Sequence, residues 1–260
     1  MSWAALCAAL VALAVLAWRT RRTVAGLERR LAGAHEELER LQQAFSRFAP
    51  AEVVEDIIAD GLSARSEKKE ITVLFADLKG FTELGEGLAP AELVTILNGY
   101  LERMSQTVVE HRGHVSKFLG DGILALFGAL EANPWQTNDA VHAALAMRRA
   151  LADYNATLVA AGRPALEMGV GVHRGPVVSG LIGSEGLTGY DVIGRTVNVA
   201  SRVERLTRTH GVDILVTDAT RAALDGRFRL RAMPAVAVKG IAGALATFAV
   251  EGFDADGRAR

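Results

Sequence analysis

Two aspartates in this chain stand where carboxylates can hold hard cations. Asp77 closes Glu70–Ala76 (EITVLFA), a β-branched and aromatic run of the kind that forms a buried strand. Asp121 lies in Gly120-Asp121-Gly122, a tight turn between two segments that read as short strands, His114–Leu119 and Ile123–Phe127. Acids at the ends of neighbouring strands can converge even though 44 positions separate these two. Such a pair suits Mg²⁺, which takes one or two carboxylates plus phosphate oxygens, and two cations could activate an attacking oxygen while neutralising a leaving one. Directly after Asp77, the segment DLKGFT (Asp77–Thr82) puts Gly80 at the start of a loop whose backbone N–H groups can cradle phosphate. A second constellation lies on a helix that begins near Arg195. There Asn198 and Arg202 are four apart, so they share one helix face beside an apolar stripe of Val199, Val203 and Leu206. Taken singly, each has an ordinary structural use: an acid at a strand end caps a helix, and a polar helix face meets water.

The periodicity of the surrounding chain predicts the elements that hold these residues. Pro90–Arg112 reads as a helix with Leu93, Leu97, Tyr100, Met104 and Val108 on one face and Gly113 as its stop. Asn138–Ala161 is a second helix, striped by Ala144, Met147, Leu151, Tyr154 and Leu158. Strands are predicted at Glu167–Val172, Pro176–Ile182 and Ile214–Val216, and then at Phe228–Arg231, Ala235–Lys239 and Ala246–Glu251. The order β-α-β-β-α-β with extra strands points to an α+β sheet with helices on one face. Gly180, Gly183, Gly186 and Gly189 read as turn residues, because no G-x-G-x-x-G stands there. His111 and His114 straddle Gly113 at a helix end and make no zinc site, and His173 reads as a core or sheet residue.

Upstream the pattern is different. Trp3–Trp18 is an unbroken run of Trp, Ala, Leu, Val and Cys, and residues 1–18 as a helix would span roughly 27 Å, close to the thickness of a bilayer's hydrocarbon core. The charge follows the run, in Arg19, Arg21 and Arg22, which sets the N-terminus outside and the rest of the chain in the cytoplasm. Residues 1–22 are therefore expected to be a single-pass anchor in the inner or plasma membrane. In residues 23–49 a heptad places Val24, Leu31, Leu38 and Phe45 on one seam and Leu27, Ala34, Leu41 and Phe48 on the other, as a parallel coiled coil requires. Residues 50–69 read as a linker, 70–252 as the main globular domain and 253–260 as a tail. The chain carries 29 basic and 30 acidic side chains, so no overall field favours nucleic acid, and its single cysteine, Cys7, excludes an internal disulfide.

Read together, five segments resemble the catalytic domain of the class III nucleotidyl cyclases over Glu70–Val250: VLFADLKGFT (Val73–Thr82), KFLGDGILALF (Lys117–Phe127), GVHRGPVVSGLIGS (Gly171–Ser184), YDVIGRTVNVASRVE (Tyr190–Glu204) and VKG (Val238–Gly240). The resemblance implies a ferredoxin-like βαββαβ fold with extra strands. It also implies an adenylate cyclase that turns ATP into 3′,5′-cyclic AMP and pyrophosphate with two Mg²⁺ or Mn²⁺ ions. Asp77, Asp121 and the Leu78 carbonyl are the implied metal ligands. Lys117 and Asp191 are the implied adenine readers, a donor and an acceptor where cyclases for GTP usually hold glutamate and cysteine. Asn198 is implied to orient the ribose, Arg202 to stabilise charge on the α-phosphate, and Lys239 to hold the terminal phosphates, with Gly80, Phe81 and Thr82 beside them. In the family one chain supplies the metal aspartates and its partner the remainder; this sequence contains both sets, which implies a homodimer. A guanylate cyclase and a catalytically silent, dimerising nucleotide sensor are the alternatives.

Overall fold

The chain divides into two compact units, Met1–Ala59 and Asp60–Arg260. The computed structural model describes residues 66–184, 187–237 and 243–254, with positions 18, 19, 21, 22 and 33 of the first unit. Residues 1–17 of the anchor run, the heptad positions named in residues 23–49 and most of the linker lie outside the described residues, as does Lys239. Among the described residues no helix is long and apolar enough to cross a membrane.

The second unit is built on a mixed sheet. Its strands are β1 (Glu67–Lys79), β2 (His114–Leu119), β3 (Gly122–Phe127), β4 (Glu167–Ser184), β5 (Leu187–Ile193), β6 (Ile214–Thr217), β7 (Phe228–Ala232) and β10 (Thr247–Phe253), while β8 (Val236–Ala237) and β9 (Ala244–Leu245) form a separate pair. Strand order is β2-β3-β1-β4-β6-β10-β7, with β5 paired to β4. The first four neighbours are all antiparallel, the ferredoxin-like order, and β4 to β6 is the parallel join to the additional strands. The helices are α1 (Phe81–Glu86), α2 (Pro90–Glu110), α3 (Gln136–Ala160), α4 (Arg195–His210) and α5 (Asp218–Arg221).

Alternation along β1 separates two cores. Leu74, Ala76 and Leu78 point to one side, where Ile96, Tyr100 and Met104 of α2 and Val141, Ala144 and Met147 of α3 cover them. Ile71 and Val73 point to the other side, against Leu124, Leu126, Val177, Val192 and Ala200. Burial of apolar area of this kind is the main stabilising term, roughly 1.5–3 kcal/mol for each large side chain taken fully from water.

Helices therefore cover both faces, rather than the single face expected. The cause lies in β4, where Met168, Val170 and Val172 fill the α2–α3 core while the intervening Gly169 and Gly171 face α4. A Cβ on Gly171 would lie 2.2 Å from the Glu204 backbone nitrogen and 2.6 Å from the Ala200 carbonyl oxygen. The helix rests directly on bare strand backbone.

Three boundaries also differ from the reading of the sequence. β4 is one strand of 18 residues where two were expected, because Arg174, Gly175 and Pro176 continue the ladder opposite Thr72, Ile71 and Glu70. Glu67, Lys68 and Lys69, assigned above to the linker, belong to β1 and pair with Ser179, Val178 and Val177. Gly180, Gly183 and Gly189, read as turn residues, lie instead in the β4–β5 ladder. β5 itself was not foreseen.

Candidate active site

Asp77 is not at the tip of β1 but two residues inside it, paired with Gly169 of β4. Its neighbour Leu78 buries its side chain in the core, which fixes the direction of the Leu78 carbonyl. The β2–β3 hairpin brings Asp121 to this point. Gly120 has φ +68° while Asp121 does not enter the positive-φ region, the pattern of a two-residue II′ turn. Gly122 completes the approach, since a Cβ there would stand 3.3 Å from Asp77 Oδ1. The two predicted metal aspartates thus share one corner of the sheet.

The electrostatics of the corner agree with the geometry. Asp121 is raised above the ordinary carboxylate range, first by burial and then by the charge of Asp77, while backbone N–H groups of Asp121 and Leu78 oppose the shift. Tyr100 of α2 is fully buried, and its hydroxyl has no hydrogen-bond partner. Its phenol is raised by burial, then by the carboxylates of Asp77, Asp121 and Glu204. Glu204 of α4 has a side chain only 3% exposed, and burial followed by Asp77 pushes it up to about 7. Arg208 meets this negative cluster directly: its Nη2 donates to Asp77 Oδ2 at 3.0 Å and to the Leu78 carbonyl oxygen at 2.9 Å.

Among the described residues no group of three or more His, Cys, Asp or Glu side chains is spaced to hold a metal ion by itself. Two carboxylates and a backbone carbonyl, in a corner with surplus negative charge, do fit a cation of the Mg²⁺ type, which keeps water and phosphate oxygens as its other ligands.

Immediately beyond, Gly80 adopts the left-handed conformation (φ 71°, ψ 20°) as N-cap of α1 and supplies no capping side chain. The first-turn N–H groups of α1 have no partner within the helix, so Thr82 can present backbone to an anion. Phe81 instead packs against the α2–α3 core.

The second predicted pair is also brought together. Lys117 of β2 and Asp191 of β5 are 74 positions apart, and Lys117 Nζ donates to Asp191 Oδ2 at 2.5 Å. Asp191 Oδ1 accepts from the Val192 N–H at 2.8 Å, which orients the carboxylate. This contact requires the β4–β5 ribbon to curl across the sheet, and Val177 and Val192, packed with Leu124 and Leu126, seat it there.

Asn198 and Arg202 lie on α4 as expected, Asn198 exposed and Arg202 half-buried. Asn198 is ten residues before Arg208, a rise of about 15 Å along the helix. Within one chain, then, the Asp77 corner and Asn198 belong to opposite ends of α4.

His173 is the sheet residue anticipated, its Nδ1 sharing a hydrogen bond of 2.8 Å with Thr217 Oγ1 and burial pushing it down to about 4. The residues that sequence reasoning missed are Tyr100, which was read only as core, and the pair Glu204 and Arg208.

Comparison with known proteins identifies the family. The model of the adenylate and guanylate cyclase catalytic domain matches residues 64–252. An adenylate cyclase of Anabaena cylindrica is 35% identical over 190 residues, covering 70% of this chain and 37% of that protein. The chain spans about a third of the length of the curated relatives it matches first. Among solved structures, the guanylyl cyclase Cya2 superposes with a TM-score of 0.70 at 35% identity, over 75% of this chain and 98% of that one. The adenylyl cyclase CyaB from P. aeruginosa does so with a TM-score of 0.69 at 30% identity, over 74% and 98%. With the fold, the paired aspartates and the Lys117–Asp191 contact all in place, the chain belongs to the adenylate and guanylate cyclase catalytic-domain family.

Proposed function

We propose that this protein is an adenylate cyclase that converts ATP to 3′,5′-cyclic AMP and pyrophosphate, with two divalent cations, Mg²⁺ or Mn²⁺, at sites shared between two copies of the chain. The observation that carries the choice of ATP is the Lys117–Asp191 contact. An ammonium donor beside a carboxylate acceptor matches the ring nitrogen and exocyclic amine of adenine. Guanine offers an oxygen acceptor and a protonated ring nitrogen in their place, and a mismatched base leaves buried polar groups unpaired.

Bound divalent cations would supply Lewis-acid stabilisation of the attacking and leaving oxygens. The chain's own residues do the rest. Asp77, Asp121 and the Leu78 carbonyl bind the cations, Asn198 orients the ribose so that its 3′ oxygen faces the α-phosphorus, and Arg202 meets the charge that grows on the α-phosphate with a planar, five-donor guanidinium. Lys239 holds the departing pyrophosphate.

Sharing of the site accords with the separation of Asp77 and Asn198 along α4, and with exposed apolar residues that a second copy could cover. Phe118 and Leu119 at the hairpin, and the cross-strand pair Val178 and Ile193, are each about half exposed. The heptads of residues 23–49 would bring the chains together. The apolar run before Arg19, Arg21 and Arg22 would hold the dimer at the inner or plasma membrane with the catalytic domain in the cytoplasm.

The test is purified protein with ATP or GTP and Mn²⁺ or Mg²⁺. Cyclic AMP from ATP is expected, and its absence from a dimeric sample sinks the proposal. The similarity to Cya2, a guanylyl cyclase, makes cyclic GMP the second reading, and turnover of GTP above ATP would favour it. Mixing an Asp77→Ala chain with an Arg202→Ala chain should restore one working site per heterodimer; no recovery would refute sharing.

A further inference from the structure

Arg208 plays no part in the reaction proposed above, yet it makes the most specific contact in the metal corner. A single nitrogen, Nη2, divides its donation between Asp77 Oδ2 and the Leu78 carbonyl oxygen. Those two atoms belong to two of the three groups assigned to the cations. The other guanidinium nitrogen, Nη1, lies 3.6 Å from Glu204 Oε1, one turn earlier on α4. Glu204 is held between helix and sheet: a Cβ on Gly169 would come within 2.7 Å of its Oε1, an oxygen with no hydrogen-bond partner.

The ordinary role for an arginine in the last turn of a helix is to meet the negative end of the helix dipole. That role would be served by a side chain directed at the last carbonyls of α4. Arg208 instead reaches out of its helix to β1, with its Nη1 beside buried Glu204.

We propose that Arg208 is a tethered competitor for the divalent cation. Its guanidinium satisfies Asp77 and the Leu78 carbonyl and keeps these ligand atoms pointed into the corner. It opposes an entering dication, because the guanidinium charge lies against the same two oxygens and repels a second positive charge there. Glu204 gives the displaced guanidinium a place to go: Nη1 is already near its unpartnered oxygen, and a rotation about the arginine stem completes that pair. The exchange lowers the affinity of the corner for a free cation and leaves it to the phosphates of the nucleotide, as additional ligands, to tip the balance. Metal would then load together with substrate.

This inference rests on the assignment of Asp77 to a cation, and the experiment separates the two. Free Mn²⁺ is measured by electron paramagnetic resonance while the full chain is titrated without nucleotide, at pH 7.5 and fixed ionic strength. The wild type, Asp77→Asn, Arg208→Lys, Arg208→Gln and Arg208→Met are compared, with melting curves to establish folding. Neutral replacement should tighten Mn²⁺ binding by about fivefold, the scale of a partly exposed ion pair. Arg208→Lys, which keeps a cation, should remain within about twofold of wild type. Two neutral variants are used so that a folding failure in one leaves the other to decide. Unchanged or weaker binding in the folded neutral variant overturns the competitor role while leaving the metal site standing. Mn²⁺ binding that is absent from the wild type and the neutral variants alike, or indifferent to Asp77→Asn, overturns the metal assignment and the inference with it.

Discussion

Adding one methyl group to β4, as Gly171→Ala, should damage both stability and catalysis, and the size of the effect follows from the contact between strand and helix. The new Cβ would meet the Glu204 nitrogen at 2.2 Å, the Ala200 carbonyl oxygen at 2.6 Å and the Glu204 Cα at 2.8 Å, all of them backbone atoms. Optimal heavy-atom separation is about 3.5–4.0 Å, so α4 has to retreat by roughly 1 Å. Overpacking that cannot be relieved by a rotamer change costs about 3 kcal/mol, which in a unit of this size lowers Tm by about 6–12 °C. The same shift carries Asn198 and Arg202 away from the nucleotide, and a misplacement of about 1 Å can cost on the order of a hundredfold in rate. Gly169→Ala is the control. Its Cβ meets Thr207 Oγ1 at 2.3 Å and Glu204 Oε1 at 2.7 Å, both side-chain atoms that can turn aside, so its penalty should be the smaller. Urea denaturation and cyclic AMP formation read the two effects. If Gly171→Ala is as stable and active as wild type, or is milder than Gly169→Ala, then α4 is not positioned by bare strand backbone and the account of the site is wrong.

Two further outcomes follow from the same corner and from the adenine pair. Glu204 titrates near 7 when folded against 4.5 as its ordinary value, so the folded state holds the extra proton; stability should decline as pH rises from about 4.5 to 7, by up to roughly 3 kcal/mol, and Glu204→Gln should flatten that slope in urea melts at pH 5, 6, 7 and 8. A wild-type slope of opposite sign would refute the buried-carboxylate account. Lys117→Ala should lower kcat/KM for ATP by about 10–100-fold while changing the GTP reaction much less, since it removes the donor aimed at adenine's ring nitrogen, which guanine holds protonated, and leaves Asp191 without its 2.5 Å partner; equal losses for both nucleotides would mean that the pair holds structure rather than reads the base.

What could be read from the sequence was whatever is local. α4 begins at Arg195, where the sequence places it, and the β2–β3 hairpin follows from Gly120-Asp121-Gly122. The pairing of Asp77 with Asp121 could be anticipated because strand ends converge, and Lys117 with Asp191 only through likeness to a family, since no spacing rule joins residues 74 apart. The unforeseen features are all products of close approach. Glycines at 169 and 171 alternate with Met168, Val170 and Val172 and so read simply as gaps in a strand, yet they admit a second helix layer and reverse the expectation of a one-sided sheet. Burial of Glu204 depends on that admission. In the sequence Glu204 and Arg208 are an i, i+4 acid and base, the usual mark of a solvated helix face. Only with α4 pressed onto Gly169 and Gly171 does the acid become buried, and only then does the arginine, carried to the end of β1, find Asp77 and the Leu78 carbonyl. The chemistry of this corner is set by two missing side chains as much as by the charged ones present.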